Sequence, residues 1–382
     1  MRRSLGIDLG TTNSVVATNA QVLSLLDGDS RAPLMPSAVA FLPDGGALVG
    51  AAARERKPID PKNTVYASKR LMGESFESSL VREFRRQYPH DLEPSPEGGV
   101  HFVTRAGPVR PCEAAALIAS HLCMRAQQTP AQTHTVVTVP SSFRETARRE
   151  TVTSIRRAGF DDLRLIEEPV ATAIAYLHRA SLRYAAVYDL GGGTFDFAVM
   201  DCSRFPLRVI AHAGDPYLGG DDVDGALAEM AAEQLLRKSG WDLRADPITY
   251  ARLTLACEQA KCSLSLNEQT TLDVAQLDPA APPAAAELVL DRDMLAAAAM
   301  PLIRRTFSIC DEVLSQANVK ARDIQAVFLA GGSTRLFMLH AMVSQYFGRK
   351  LRTDLNPEQV VALGASMVAA RPELWTLLDP SS

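Results

Sequence analysis

Two aspartates flank three glycines and a threonine in Asp189-Leu190-Gly191-Gly192-Gly193-Thr194-Phe195-Asp196, with apolar runs on either side. Glycine has no Cβ, so its backbone can approach an anion closely. Successive N–H groups in such a turn make a concavity that binds phosphate. The carboxylates of Asp189 and Asp196 would repel a bare phosphate chain. They make sense beside Mg²⁺, which cancels their charge directly or through its waters. Alone, the triplet also fits a plain β-hairpin with a tight glycine turn.

The same pattern occurs at the N-terminus. Leu5-Gly6-Ile7-Asp8-Leu9-Gly10-Thr11-Thr12-Asn13-Ser14-Val15-Val16-Ala17 is again an apolar run, an Asp-Leu-Gly, small hydroxyl residues and an apolar run. The two turns stand about one domain length apart. A repeated phosphate hairpin at that distance points to a duplicated fold with one nucleotide held between its halves.

The intervening chain alternates strands and helices, which predicts an α/β protein. Strands are expected at 21–26, 37–42, 100–103 and 135–139, where Pro140 stops the strand, with a further strand and turn over 163–169 and 88–111 otherwise irregular. Helices are expected at 113–127, 144–158, 170–179, 222–238, 250–264 and 294–317. Ala114, Leu117, Ile118, His121 and Leu122 fall near one face of the first of these, and His121 reads as a packed or solvated residue. Glu258, Lys261 and Ser265 recur at i, i+3 and i+7 and share a face. A solvated stripe has the same spacing. Asp278-Pro279-Ala280-Ala281-Pro282-Pro283 bars a continuous strand within 271–291.

Ile7 to Ser14 and Asp189 to Asp196 resemble the two phosphate signatures of the DnaK-type heat-shock chaperones, the seventy-kilodalton heat-shock proteins. Val327-Phe328-Leu329-Ala330-Gly331-Gly332-Ser333-Thr334-Arg335 is similar to their adenosine loop, and order and spacing match. The resemblance runs from about Leu5 to Asp379. It implies an α/β, actin-like ATPase fold: duplicated ribonuclease-H-like lobes with two peripheral subdomains around a central nucleotide cleft. Lobe I would cover 1–181 (core 1–37 and 112–181, peripheral subdomain 38–111). Lobe II would cover 182–352 (core 182–218 and 299–352, peripheral subdomain 219–298). Residues 353–373 would return as a helix onto lobe I, and 374–382 would begin an interdomain linker.

The resemblance also implies roles. Gly10, Thr11, Thr12, Asn13, Gly191, Gly192 and Gly193 would cradle the phosphates of ATP or ADP. Gly219 and Gly220 mark the entry to the fourth subdomain. Glu258, Lys261, Ser265, Gly331, Gly332, Ser333, Arg335 and Glu358 would hold the adenosine. Asp8 and Asp189 would hold hydrated Mg²⁺, with K⁺ as a further cation. Lys69 and Thr194 would place the attacking water, with Asp196 as a proton acceptor. No strong base is evident, so turnover should be slow. Pro140, Arg148 and Glu168 match a relay that reports the nucleotide state to the neighbouring domain. Cys262 stands where the family often has an arginine that stacks on adenine. With the short fourth subdomain, it resembles the bacterial HscC branch.

Composition is that of a soluble globular protein. The 382 residues are 47% hydrophobic and 22% charged, with a net charge of −4. A negative chain argues against nucleic acid as partner, and no apolar run reaches a membrane span. Met1-Arg2-Arg3-Ser4 runs directly into a strand and leaves no room for a signal peptide. The six cysteines contain no C-x-x-C pair and fit free thiols in a cytoplasm; a metal site at Cys257 and Cys262 is the alternative. The sequence carries no substrate-binding domain after Leu374-Trp375-Thr376-Leu377-Leu378-Asp379. The implied partners are a J-domain co-chaperone and a nucleotide-exchange factor. Glu167 and Val170 replace an Asn and a Thr of the usual partner surface, which suggests a dedicated co-chaperone. The competing reading is a non-hydrolysing, actin-like filament or interaction protein.

Overall fold

The computed structural model describes residues 3–27, 30–177 and 182–371. The linker stretch 374–382 and the first two residues lie outside them. The chain opens with β1 (Arg3–Leu9), β2 (Asn13–Thr18), β3 (Gln21–Val22), a hairpin of β4 (Leu25–Asp27) and β5 (Ser30–Ala32), and β6 (Met35–Pro36). A peripheral unit follows: β7 (Ala38–Phe41), β8 (Ala47–Val49), α1 (Ala51–Arg54), β9 (Thr64–Tyr66), α2 (Ser79–Gln87), β10 (Leu92–Pro94), β11 (Val100–Thr104) and β12 (Gly107–Val109). The chain returns to the first sheet through α3 (Pro111–Arg125), β13 (Thr133–Val139), α4 (Glu145–Arg157), β14 (Leu163–Glu167) and α5 (Glu168–Tyr176).

The second half repeats this plan. It holds β15 (Tyr184–Leu190), β16 (Phe195–Asp201) and β17 (Arg208–Asp215), then a peripheral unit of α6 (Gly220–Ser239), α7 (Pro247–Leu264), β18 (Gln269–Asp273), α8 (Val274–Leu277) and β19 (Glu287–Asp291). Helix α9 (Arg292–Gln316), β20 (Ala326–Ala330), α10 (Leu339–Phe347) and α11 (Val360–Ala369) complete it.

The duplication is visible in the pairing. In the first sheet, β1 pairs antiparallel with β2 (Asp8 opposite Val15) and parallel with β13 (Ile7 opposite Val137). In the second, β15 pairs antiparallel with β16 (Asp189 opposite Asp196) and parallel with β20 (Asp189 opposite Ala330). Each sheet thus places an aspartate near the carboxyl end of a central strand, the end where open α/β sheets bind ligands.

Each half has its own apolar core. One gathers Leu5, Ile7, Val16, Phe84, Ile118 and Val137. The other gathers Tyr188, Phe197, Leu227, Leu253 and Ile303. A third, rich in alanine, lies beneath the cleft and joins Ala171, Ala173, Val187, Phe328, Val361 and Ala365. Small residues let α5 and α11 cross closely there: a Cβ on Gly364 would stand 1.8 Å from the Ala171 carbonyl oxygen.

Several expected elements differ in detail. Residues 88–111 hold a three-stranded antiparallel sheet, β10-β11-β12, rather than one strand. Two of those strands are three residues long, too short for alternation to register. The strand expected over 21–26 is split into β3 and β4. Helix α5 starts earlier, at Glu168, because Pro169 suits the first helical turn. The last helix covers Val360–Ala369 and not the whole of the expected 353–373. Leu117 is 39% exposed, so the buried face of α3 is Ala114, Ile118 and Leu122.

Candidate active site

The turns β1–β2 and β15–β16 face each other in a cleft of ≈ 1020 Å³. Neither has room for a side chain in place of its key glycine. A Cβ on Gly10 would lie 2.1 Å from the Asn13 carbonyl oxygen, and one on Gly192 would lie 2.4 Å from Thr12 Oγ1. Thr12 of the first turn therefore touches the second. Among the described residues, the N–H groups of Thr11, Thr12, Gly192, Gly193 and Thr194 have no protein acceptor. Unpaired, convergent amides of this kind suit an anion.

Below the turns sit four carboxylates and one ammonium. Asp8 comes from β1, Asp189 from β15, Asp196 from β16 and Glu168 from the start of α5. Lys69 Nζ donates to Glu168 Oε1 at 2.7 Å, and the two side chains are 14% and 13% exposed. Thr138 Oγ1 donates to Asp8 Oδ1 at 3.1 Å. Burial pushes the Asp8 carboxyl up to about 6, against the pull of Lys69. Burial, then Glu168, pushes Asp196 up to about 8, and Asp189 is driven well above the ordinary range. Burial disfavours the Lys69 charge, but Glu168, Asp8 and Asp196 outweigh it and raise its pKa. One lysine leaves this carboxylate set short of positive charge, so the donors fit a divalent cation. Among the described residues, no three ligating side chains converge on a point.

The residues expected to hold the adenosine line the same cleft: Glu258, Lys261, Cys262 and Ser265, with Ser265 capping α7, and Gly331, Gly332, Ser333, Arg335 and Glu358. Lys261 Nζ is anchored on Asp224 Oδ2 (2.8 Å) and the Gly220 carbonyl (3.0 Å). Arg335 pairs with Glu358 (3.2 Å) and donates to Asn356 Oδ1 (2.7 Å), which holds its guanidinium at the rim. Ser333 Oγ donates to the Gly191 carbonyl and ties the Gly331–Arg335 loop to the β15–β16 turn.

Not every expected site residue faces the cleft. Gly193, Gly219 and Gly220 are absent from its lining. Gly219 packs against the back of the turn, where a Cβ would meet the Gly192 carbonyl oxygen at 2.5 Å, and Gly220 N–H donates to the Gly191 carbonyl. Their role is to brace the turn. Pro140, Arg148 and Glu168 do not form one bonded chain either. Glu168 is taken by Lys69, while Arg148 donates to Glu167 (3.0 Å), which also accepts from Ser141 (2.9 Å). Glu167 is therefore already engaged and offers little spare negative charge to a partner.

With this geometry in view, the comparisons with known proteins are direct. The family model of Hsp70 protein matches residues 4–371. The chain belongs to the Hsp70 family. The chaperone protein DnaK of Stenotrophomonas maltophilia (strain R551-3) is 36% identical to it over 96% of this chain and 59% of its own length. The Hsp70 chain thus spans about three-fifths of that relative. Its mixed α/β architecture is the actin-like ATPase fold, and family membership over nearly the whole chain does not favour a separate filament protein.

Some residues now prominent were not expected. Arg54 of α1 pairs with Glu258 of α7 across the mouth of the cleft. Lys57, Asp221 and Asp224 are buried around it. Arg70 reaches from the lobe I periphery to the second phosphate turn. A charged residue that meets a partner far along the chain leaves no periodic signal in the sequence.

Proposed function

We propose that this Hsp70 chain binds ATP with Mg²⁺ and hydrolyses it slowly, and that closing the two lobes on nucleotide is its output. The observation that carries this reading is the pair of acceptor-free amide turns meeting directly above Asp8, Asp189, Asp196, Glu168 and Lys69. Phosphoryl transfer asks a protein mainly for positioning and charge stabilisation. The amides of Thr11, Thr12 and Gly192 to Thr194 would hold the β- and γ-phosphates, while the Gly191 N–H closes the turn on the Thr194 carbonyl. Asp8 and Asp189 would hold Mg²⁺ through waters, and the ion would supply charge neutralisation at the phosphates. K⁺ is proposed as a second cation of the same carboxylate set.

Lys69 and the Thr194 hydroxyl would orient the water that attacks the γ-phosphorus. The bond to the β–γ bridging oxygen breaks, ADP leaves, and the water's proton passes to Asp196 or solvent. Lys69 is already fixed by Glu168, so its ammonium needs little reorganisation as charge builds on the phosphoryl group. Cys262 offers no planar cation for the adenine face, which leaves Arg335 on the opposite wall as the stacking group. Weak adenine binding and quick product release follow.

The wider role is proposed by kinship. As in a DnaK-type chaperone, the nucleotide state would be passed to a substrate-binding domain, with hydrolysis stimulated by a J-domain co-chaperone and release aided by an exchange factor. The Glu167–Arg148–Ser141 cluster favours a dedicated J-domain partner, because the surface carboxylate is neutralised from within. Equal stimulation by an unrelated J-domain protein would count against that. The six cysteines are all free thiols, which supports a cytoplasmic setting. No helix among the described residues is long and apolar enough to cross a membrane. Phosphate release from Mg·ATP tests the reading: slow turnover that stops when Mg²⁺ is chelated supports it, and none in any condition refutes it.

A further inference from the structure

Arg70 is the least explained charge near the cleft. It follows Lys69 on a short 3₁₀ turn and is 8% exposed. Its guanidinium lies 4.8 Å from the Tyr217 ring and 5.2 Å from the Tyr88 ring. Nη2 donates to the Gly193 carbonyl at 2.6 Å. Nε and Nη1 are buried without a partner, and no carboxylate among the described residues lies within ion-pairing distance. An arginine stays charged, and a buried charge needs compensation. Asp221 and Asp222 offset the charge through space, but the one hydrogen bond the guanidinium makes among the described residues is to that backbone carbonyl, so the directed contact is localised there.

The identity of that carbonyl gives the contact its meaning. The Gly193 C=O and the Thr194 N–H belong to one planar trans peptide unit and point in opposite directions. Holding the carbonyl against Arg70 turns the Thr194 N–H the other way, towards the cleft that Thr194 lines and Gly193 does not. A charge-assisted bond to the carbonyl also polarises the unit and makes that N–H a better donor. Gly193 itself is confined by the contact, since a Cβ there would stand 2.0 Å from Arg70 Nη2.

We propose that Arg70 is a positioning residue of the phosphate site: from lobe I it clamps the Gly193 carbonyl of lobe II, and thereby aims the Thr194 amide at the terminal phosphates when the lobes close. The inference rests on the nucleotide-binding part of the reading above and not on hydrolysis. Arg70 touches no reacting atom. It acts through the peptide, so its removal should be felt by phosphates and not by the nucleoside.

Calorimetric titration with ATP and with adenosine, in Mg²⁺ buffer, separates these. In Arg70→Met the ratio of ATP to adenosine affinity should shrink about 10- to 100-fold, the size of one charge-assisted hydrogen bond, with adenosine affinity unchanged. Arg70→Lys, which keeps a cationic donor, should retain most of the ratio. If Arg70→Met does not fold, Tyr217→Leu removes one ring that holds the guanidinium and should shift the ratio in the same direction. An unchanged ratio, or an equal loss for adenosine, overturns the proposal. A parent chain that binds ATP no better than adenosine overturns both it and the nucleotide reading. One that binds ATP without hydrolysing it overturns only the hydrolytic reading, and the Arg70 comparison still decides.

Discussion

At the scale of single residues, the molecule buries several titratable side chains, and His90 is one that lies away from the cleft. It lies among Tyr66, Phe84, Tyr88 and Phe102, with both ring nitrogens unpartnered. Burial, reinforced by Lys57 and opposed by Asp91, lowers its pKa to about 3. The folded state binds the proton less readily than the unfolded chain, whose histidine titrates near 6.5. Stability from His90 is therefore complete above about pH 6.5 and is lost as pH falls towards 3. At pH 5 the loss should reach about 2 kcal/mol. His90→Phe should abolish that share of the decline, so melting curves of parent and variant between pH 7 and 5 should diverge steadily; parallel curves would count against it. The two Asp-Leu-Gly turns that meet in the cleft were legible in the sequence because each is a run of chain neighbours. Arg70 was not, because its acceptor is a carbonyl 123 residues away.

At the scale of elements, hydrophobic patterning located most strands and helices, since the central strands are buried nearly throughout and the helices end at glycines such as Gly159 and Gly240. It failed for β10 and β12, where three residues cannot show a period. It also could not show that α5 and α11 cross so closely. That crossing supports the alanine-rich core beneath the cleft, and Gly364→Ala should disturb it. With the new methyl aimed at the Ala171 carbonyl, a loss of about 2–3 kcal/mol is expected, read as a lower urea midpoint. A midpoint equal to the parent's would mean that the helices separate freely. A second test concerns α1 and α7. The Arg54–Glu258 pair joins the two peripheral units, and its side chains are 34% and 30% exposed. A part-exposed pair is worth at most about 1 kcal/mol, so Arg54→Ala should speed ADP release roughly two- to fivefold. Stopped-flow displacement of a fluorescent nucleotide measures it, and an unaltered release rate would remove the pair from the gate.

At the scale of the whole molecule, the duplicated lobes make one site out of two half-sites. Each half supplies an amide turn and a strand-end aspartate, and lobe I adds Lys69 and Arg70 from neighbouring positions with separate tasks. Lys69 serves the carboxylate floor, and Arg70 serves the opposite lobe. Under the proposed function, closure on nucleotide would bring both tasks to bear together, as a switch requires. The deciding measurement is Mg²⁺-dependent ATP turnover of this chain with and without Lys69→Ala, with melting recorded for both because the substitution strips Glu168 of its counter-charge. The account predicts slow hydrolysis in the parent and a fall of about 100- to 1000-fold in the variant, the cost of one transition-state donor. Turnover that survives the substitution unchanged, or a parent chain that binds Mg·ATP without cleaving it, would contradict it.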